Sequence, residues 1–139
     1  MLYRHLLKYQ IGRKIMHGDI VYIELACTSK ETLRFYEKIF RWKVKESFIT
    51  SHKYFMFETP GKSLKGGFDT LIKPSTKGPQ IYIEVDDIER VTTEMMNDFD
   101  SAVVLKDKTL ISEDYGYYAL ILDPSGNKIG LQENIKKED

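Results

Sequence analysis

Tyrosine and glutamate occur together at two places in this sequence. Tyr22 and Glu24 stand two positions apart in the run VYIEL, and sixty positions later Tyr82 and Glu84 repeat the pattern in IYIEV. Alternate residues of a strand point to the same face, so each run predicts a phenol and a carboxylate side by side. Phenols stack on organic molecules or hydrogen-bond to them, and a partly desolvated carboxylate can act as a general base. Glu24 and Glu84 are therefore candidate catalytic residues, and Tyr22 and Tyr82 are candidate ligand-binding residues.

Each copy of the run begins a similar succession of predicted elements. A strand with alternating apolar residues leads into a predicted helix, and three strand-like runs follow each helix. Thr28 and Glu31 have the spacing of a capping box before the first helix, predicted over 29–39, and Asp86 or Asp87 can cap the second. The later strands are predicted at 42–49, 54–59 and 65–72, and again at 103–105, 117–122 and 128–133.

The segment 73–79 contains two prolines and a glycine but no apolar residue, which predicts a connection between two units. The sequence thus predicts one α+β domain over 20–133, built from two βαβββ modules at about 20–73 and 80–133. Residues 1–19 form an N-terminal extension in this interpretation, and 134–139 a charged tail. The basic, partly apolar start of the chain leaves open a targeting or membrane-surface helix, or simply an upstream extension, whereas a secretory signal is disfavoured.

The alternation of the strands predicts which residues line a cavity. If the apolar faces pack against the helices, the other faces are left for a polar cup. The run Lys65-Gly66-Gly67-Phe68-Asp69 resembles the run that begins at Lys128, and its two counterparts Gly67 and Gly130 would leave room at the floor. The predicted lining residues are Tyr22, Glu24, Lys65, Asp69, Gln80, Tyr82, Glu84, Lys128 and Gln132.

The composition excludes several function classes. The 139 residues carry 21 basic and 21 acidic side chains, so no net field favours nucleic acid or an anionic membrane surface. No apolar run is long enough to span a bilayer. The only cysteine, Cys27, forms neither an intramolecular disulfide nor a thiolate metal cluster, which favours a cytoplasmic location.

Three segments resemble the vicinal oxygen chelate superfamily, the group of glyoxalase I, bleomycin-resistance proteins and extradiol dioxygenases. They are Phe35-Tyr36 with the following Phe40-Arg41-Trp42, the helix entry Val85-Asp86-Asp87-Ile88, and the run from Asp123 to Leu131. The resemblance covers about 20–133 and is nearest to uncharacterised glyoxalase-like proteins. It implies two βαβββ modules whose eight strands form a cupped, barrel-like mixed sheet around a cavity, within a homodimer.

The metal-dependent branches of that superfamily place one His or Glu ligand on each of four strands. Carried over by position, these ligands would fall at Ile20, near Gly67, at Gln80 and at Gly130, and none of these is a usual ligand for zinc, nickel or iron. The histidines His5, His17 and His52 lie outside the predicted strands and are expected to be exposed. A rearranged site of His52 with Glu58 or Asp69 is the alternative.

Two functions remain open from the sequence. The first is a metal-independent domain that binds or sequesters a small organic molecule, without a cofactor, in a polar cup with tyrosine walls. The second is a lyase or isomerase of the glyoxalase-like type, either metal-free with Glu24 or Glu84 as its base, or metal-assisted. Fold alone does not separate them, because this architecture hosts several chemistries.

Overall fold

The computed structural model describes residues 15–48, 50–61 and 64–136. His5 and most of the predicted N-terminal extension, together with the last three residues of the predicted tail, lie outside these ranges. The first module contains β1 (Tyr22–Ala26), α1 (Lys30–Phe40), β2 (Lys43–Ser47), β3 (Tyr54–Glu58) and β4 (Lys65–Asp69). The second contains β5 (Tyr82–Glu84), α2 (Ile88–Asp98), β6 (Val103–Ser112), β7 (Gly116–Leu122) and β8 (Lys128–Glu133).

Each module forms its own four-stranded mixed sheet. The strand orders are β1-β4-β3-β2 and β5-β8-β7-β6, so β1 and β5 are corresponding edge strands. Each edge strand runs parallel to the last strand of its module, and the other pairs are antiparallel. The predicted succession of two βαβββ modules is confirmed, and the eight strands are divided between two sheets that do not close into a barrel.

The helices cover one face of each sheet. Aromatic residues on α1 and just after it pack against the first sheet. Tyr36 of α1 contacts Phe68 at 5.2 Å between ring centroids, and Trp42, which follows the helix, stacks on Phe57 at 4.3 Å. Phe35 meets Phe99, just beyond the end of α2, at 5.3 Å, which joins the modules through one continuous core. We call the opposite, helix-free faces of the two sheets the cup faces.

The start of the first helix differs from the prediction, whereas the start of the second agrees with it. Ser29 is the N-cap of α1 and makes no capping hydrogen bond with its side chain, so Thr28 and Glu31 form no capping box. Thr28 instead donates its backbone N–H to Ser125 Oγ of the second module, at 2.8 Å. For α2, Asp87 is the capping residue and accepts from the backbone N–H of Arg90 at 3.1 Å. The first helix thus begins at a contact between modules, which local spacing does not reveal.

The sequence repeat is out of step with the structural repeat by two residues. Tyr22 is paired with Lys65, whereas Tyr82 is paired with Gly130, although Lys65 and Lys128 open the two similar runs. The structural counterpart of Tyr22 is therefore Gln80, and that of Glu24 is Tyr82. Because a shift of two residues keeps every side chain on its face, the predicted faces are right while the predicted one-to-one mirror of the two copies is wrong.

Two further boundaries differ from expectation. The predicted short strand at 103–105 is the ten-residue β6, with three register irregularities in its pairing with β7, and β4 ends at Asp69 rather than at residue 72. Bulges of this kind interrupt the regular alternation that predicts a strand. Within the described ranges, no helix combines the length and apolar character needed to cross a lipid bilayer.

Candidate functional site

The first cup face carries four of the predicted lining residues. Tyr22 and Lys65 occupy one rung of the sheet, Glu24 lies opposite Gly67 on the next, and Asp69 pairs with both Ala26 and Tyr54 on the third. Their side chains share a face because the paired residues of a sheet project together. The prediction of which side these residues occupy thus agrees with the strand register.

Two tyrosine hydroxyl groups meet above Gly67. Tyr22 and Tyr54 are hydrogen-bonded through their hydroxyl oxygens at 2.8 Å. A Cβ atom on Gly67 would come 1.8 Å from the Tyr54 hydroxyl oxygen, so the glycine is what allows this phenol to lie against β4. Gly67 was expected to leave room at the cavity floor; the Tyr54 ring fills that room, and only 3% of Tyr54 is exposed.

A histidine and an aspartate are joined at the end of the same face. His52 Nε2 lies 3.1 Å from Asp69 Oδ1, and the same carboxylate oxygen accepts the backbone N–H of Leu71 at 2.8 Å. The imidazole also meets the edge of Tyr54, with ring centroids 6.2 Å apart. Side-chain exposure is 28% for His52 and 16% for Asp69. His52 is therefore partly buried, contrary to the expectation of an exposed histidine.

The second cup face carries the other five predicted residues. Gln80 lies beside Lys128, whose backbone carbonyl accepts from Gln80 Nε2 at 3.4 Å. Glu84 pairs with Gln132, and its carboxylate accepts a hydrogen bond from the Asn134 amide. Gln132 donates to the carbonyl of Tyr115 at 3.4 Å. No hydrogen bond or ion pair between described residues joins this set to the set on the first cup face.

Tyr82 lies over the glycine of this second set. A Cβ atom on Gly130 would come 2.5 Å from two ring carbons of Tyr82, so the ring rests on the backbone of β8. Half of Tyr82 remains exposed. Gly130, like Gly67, was expected to leave a space at the cavity floor, and an aromatic ring occupies that space here too.

A cavity of about 570 Å³ lies where the modules meet. It is bordered by the edge strand β5, by the end of α1, by α2 and by the turn between β3 and β4, and it includes Tyr82 and Glu84 among its lining residues. The remaining seven predicted residues do not border it. This cavity at the seam between the modules is therefore a different space from the predicted cup with its nine lining residues, which stays a prediction.

Other reactive groups are held inside the protein. Desolvation raises the pKa of the buried Cys27 thiol, which leaves it protonated and poorly nucleophilic. Desolvation is also the main cause that raises the pKa of the Asp123 carboxyl, against hydrogen bonds that lower it. The pKa of Tyr36 is raised well above its usual value, first by burial and then by the nearby Asp123 charge. These groups have the character of structural residues.

Solved structures share this architecture. A glyoxalase/bleomycin resistance protein/dioxygenase family enzyme from Burkholderia phytofirmans PsJN aligns with a TM-score of 0.63 at 18% identity, over 85% of this chain and all of that one. An antibiotic binding protein from Streptomyces sp. CB03234, TnmS3, aligns with a TM-score of 0.63 at 15% identity, over 87% of this chain and 100% of its own.

The chain has the fold of the vicinal oxygen chelate superfamily. A mutant of the fosfomycin resistance protein FosX from Listeria monocytogenes, solved with Mn(II) and a dihydroxypropylphosphonic acid, also aligns, with a TM-score of 0.61 at 13% identity, over 87% of this chain and 95% of its own. No protein-family model matches the sequence, and no curated protein matches it at a significant level. The expected resemblance is thus confirmed at the level of the fold.

The metal site implied by the vicinal oxygen chelate fold does not fit the residues of this chain. The positions on β4 and β8 are Gly67 and Gly130, and tyrosine atoms occupy the space in which a ligand side chain would begin. Ile20 precedes β1, and the strand register makes Tyr22, not Ile20, the counterpart of Gln80. No group of three or more potential metal ligands occurs among the described residues.

Sequence reasoning missed Tyr54 and undervalued His52. A glycine within a strand often marks a close approach by another group, so the glycines of β4 pointed to an aromatic neighbour without naming it. The partner became identifiable only from the pairing of β3 with β4, which places Tyr54 opposite Asp69. The same pairing brings the turn that carries His52 next to the end of β4.

Proposed function

We propose that this protein binds a small organic molecule on its cup faces, without a metal ion. The observation that carries the proposal is the replacement of the ligand positions on β4 and β8 by glycines covered with tyrosine. Phenols there offer aromatic surface and hydroxyl groups in place of ligands for a cation. The binding surface is polar and aromatic, with Tyr22, Glu24, Lys65 and Asp69 in one half and Gln80, Tyr82, Glu84, Lys128 and Gln132 in the other.

The comparisons support a binding role at a coarse level. One protein of the same fold is described as antibiotic binding, and another was solved with a small phosphonic acid and Mn(II). A pocket that uses a few polar groups among aromatic walls is typical of small-molecule sites. Binding without metal is compatible with the fold, and the glycines and tyrosines at the ligand positions of this chain support it.

Thermal denaturation tests the proposal. Protein treated with EDTA is screened against divalent metal ions and against a library of small metabolites and aromatic compounds, because a ligand that binds only the folded state raises its melting temperature. We expect saturable shifts from organic compounds. A saturable shift with nickel, zinc, manganese or iron alone would contradict the metal-free proposal.

A pair of tyrosine variants locates the response. Tyr22→Phe removes one of the two hydroxyl groups above Gly67 and is expected to lower the affinity for the organic ligand several-fold. Tyr115→Phe is the matched control, because Tyr115 is 67% exposed in a turn and its hydrogen bonds to described residues involve its backbone N–H and carbonyl. Equal binding by the two variants would remove Tyr22 from the site.

The second candidate function is a metal-free lyase or isomerase. The contact of His52 Nε2 with Asp69 Oδ1 at 3.1 Å favours it, because a carboxylate accepts hydrogen bonds and so favours the neutral tautomer with its proton on Nε2, in which Nδ1 can accept a proton. Glu24 and Glu84 remain the carboxylates proposed from the sequence for the same role. If turnover of any compound from the screen is found, His52→Gln should abolish it, whereas the exposed His17→Gln should not. Turnover retained in His52→Gln would return the role to the glutamates.

A homodimer and a cytoplasmic location complete the proposal. The dimer rests on the resemblance to the superfamily, and the location rests on the single, unpaired Cys27. Sedimentation at micromolar concentration should give twice the monomer mass of 16.3 kDa. A monomer under those conditions would refute the dimer and leave the binding site to one chain.

A further inference from the structure

On the second cup face, the ring of Tyr82 lies against the backbone of Gly130. The backbone N–H of Gly130 donates to the carbonyl of Ile81 at 2.8 Å, which fixes β5 against β8 directly beside the ring. Two carbons of the Tyr82 ring lie within 2.5 Å of the place where a Cβ atom on Gly130 would stand. Only glycine at this position lets the ring lie down on the strand.

The Tyr82 ring is held at one side and accessible elsewhere. Its ring carbons lie against the backbone of β8, and half of the residue is exposed to solvent. The tyrosine over Gly67 differs, because Tyr54 is only 3% exposed and its hydroxyl is bonded to Tyr22. An aromatic ring that packs against a strand and is still half exposed is a preformed surface for stacking, since its orientation is set before a ligand binds.

The neighbours of Tyr82 on this face are two leucines, a lysine on one adjacent rung and, on the other, the carboxylate of Glu84, which already accepts a hydrogen bond from the Asn134 amide. Leu120 is paired with Gly130 on the same rung, and Leu122 follows on the next rung, opposite Lys128. Both leucines are partly exposed. Lys128 makes no ion pair with any described residue and lies two positions from Gly130 on the same face. The ring of Tyr82 and the two leucines therefore lie next to the strand position of Lys128, a lysine without an ion pair to any described residue.

We propose that Tyr82 stacks on a planar aromatic anion, that Gly130 is the positioning residue for this ring, and that Lys128 contacts the anionic group. This inference rests on the proposed small-molecule function and names its ligand class and its subsite. The position at which the fold would otherwise place a metal ligand is used here to seat an aromatic ring.

Calorimetric titration with anthraquinone-2-sulfonate as the probe tests the inference. Stacking and hydrophobic contact with one ring contribute about 1.4 kcal/mol, which is a tenfold change in Kd. We expect Tyr82→Ala to raise the Kd of the probe about tenfold. Tyr82→Phe should leave the Kd within about twofold of the wild-type value, because the ring is retained. Lys128→Gln should raise the Kd several-fold. Tyr115→Ala, which removes an exposed tyrosine elsewhere, should leave the affinity unchanged.

A double-variant cycle tests the role of Gly130. Gly130→Ala pushes the ring aside and should weaken the probe about tenfold, whereas adding the same change to Tyr82→Ala should cause no further loss. In the wild-type NMR spectrum, the Gly130 α-protons should be shifted upfield by the ring current of Tyr82, and Tyr82→Ala should remove that shift. An equal loss from Gly130→Ala with and without Tyr82 would overturn the positioning role.

The outcomes separate this inference from the proposed function. Binding of the probe that is insensitive to Tyr82→Ala, or absence of binding while other small molecules from the thermal screen still bind, overturns the stacking subsite alone. Absence of any small-molecule response in the thermal screen overturns the proposed function together with it.

Discussion

The two places where a hairpin turn of one module faces the other module are built differently. The β7–β8 turn, residues 123–127, is joined to the start of the first module by a dense set of hydrogen bonds. Asp123 accepts from the Tyr36 hydroxyl at 2.7 Å, and Asn127 donates to the carbonyl of Ala26 at 2.7 Å. Ser125 Oγ bonds to the backbone N–H of Thr28 and contacts the hydroxyl of Thr32. This closed junction leaves little room for a ligand.

The corresponding β3–β4 turn leaves an open junction. Among the described residues of this turn, no hydrogen bond joins residues 60, 61 or 64 to residues 85–94, and the cavity of about 570 Å³ lies between the turn and that segment. Arg90 and Glu94 of α2 border this space with side chains that form no ion pair within the described ranges. One junction of a two-module fold can therefore carry the stability while the other remains available for binding.

Of the substitutions that test this difference between the junctions, Asp123→Ala should destabilise the protein most. The carboxylate accepts four hydrogen bonds, from Tyr36, Ser125 and twice from Asn127. Its removal leaves buried donors without acceptors and is expected to lower the free energy of unfolding by about 3 kcal/mol. Chemical denaturation at neutral pH measures the loss. A change below about 1 kcal/mol would show that this junction does not hold the modules together.

Tyr36→Phe should have a smaller, pH-dependent effect. Loss of the hydrogen bond to Asp123 is expected to cost about 1.5 kcal/mol at neutral pH. Since the folded-state pKa of Tyr36 is raised well above 10, wild-type stability is fully present below pH 10. It falls above that pH, because the unfolded chain releases a proton that the folded chain keeps.

The Tyr36→Phe variant has no hydroxyl proton at this position, so its stability does not depend on the titration of Tyr36. The stability gap between wild type and Tyr36→Phe should therefore narrow above pH 10, by up to about 1.4 kcal/mol per pH unit. Denaturant titrations at several alkaline pH values measure the gap. A gap that is constant with pH would contradict the raised pKa.

Ser125→Ala should lower the free energy of unfolding by about 1 kcal/mol. Ser125 Oγ accepts a hydrogen bond from the exposed backbone N–H of Thr28 at 2.8 Å and contacts two threonine hydroxyls. The same unfolding measurement applies. Ser75→Ala is the matched control, since the Ser75 side chain bonds only within its own loop. Equal losses from the two serines would mean that Ser125 contributes nothing particular to the junction.

Arg90→Ala at the open junction should have the smallest effect, within about 0.5 kcal/mol. The side chain is exposed and makes no described hydrogen bond or ion pair, so little is lost on truncation. Differential scanning calorimetry can compare it directly with Ser125→Ala. A loss as large as that of Asp123→Ala would show that the open junction also holds the modules together.

The faces of the strands were predictable, while the contacts across them were not. Alternation in VYIEL and IYIEV placed Tyr22 and Tyr82 on the cup faces, because neighbouring residues of a strand point to opposite sides. The Tyr-Ile-Glu sequence shared by the two runs also suggested that Tyr22 corresponds to Tyr82. The strand pairing contradicts this, because it shifts the correspondence by two residues. Register depends on partner strands distant in the chain, which local patterns do not contain.

The sequence by itself determined the two-module architecture and the helix-covered and helix-free faces of the strands, because each depends on residue type and local period. Only the tertiary structure decided that Tyr54 and Tyr82 fill the space over Gly67 and Gly130, that His52 meets Asp69, and that one junction is closed and the other open. These features depend on atoms brought together from distant parts of the chain, and their positions follow from how the strands and helices pack.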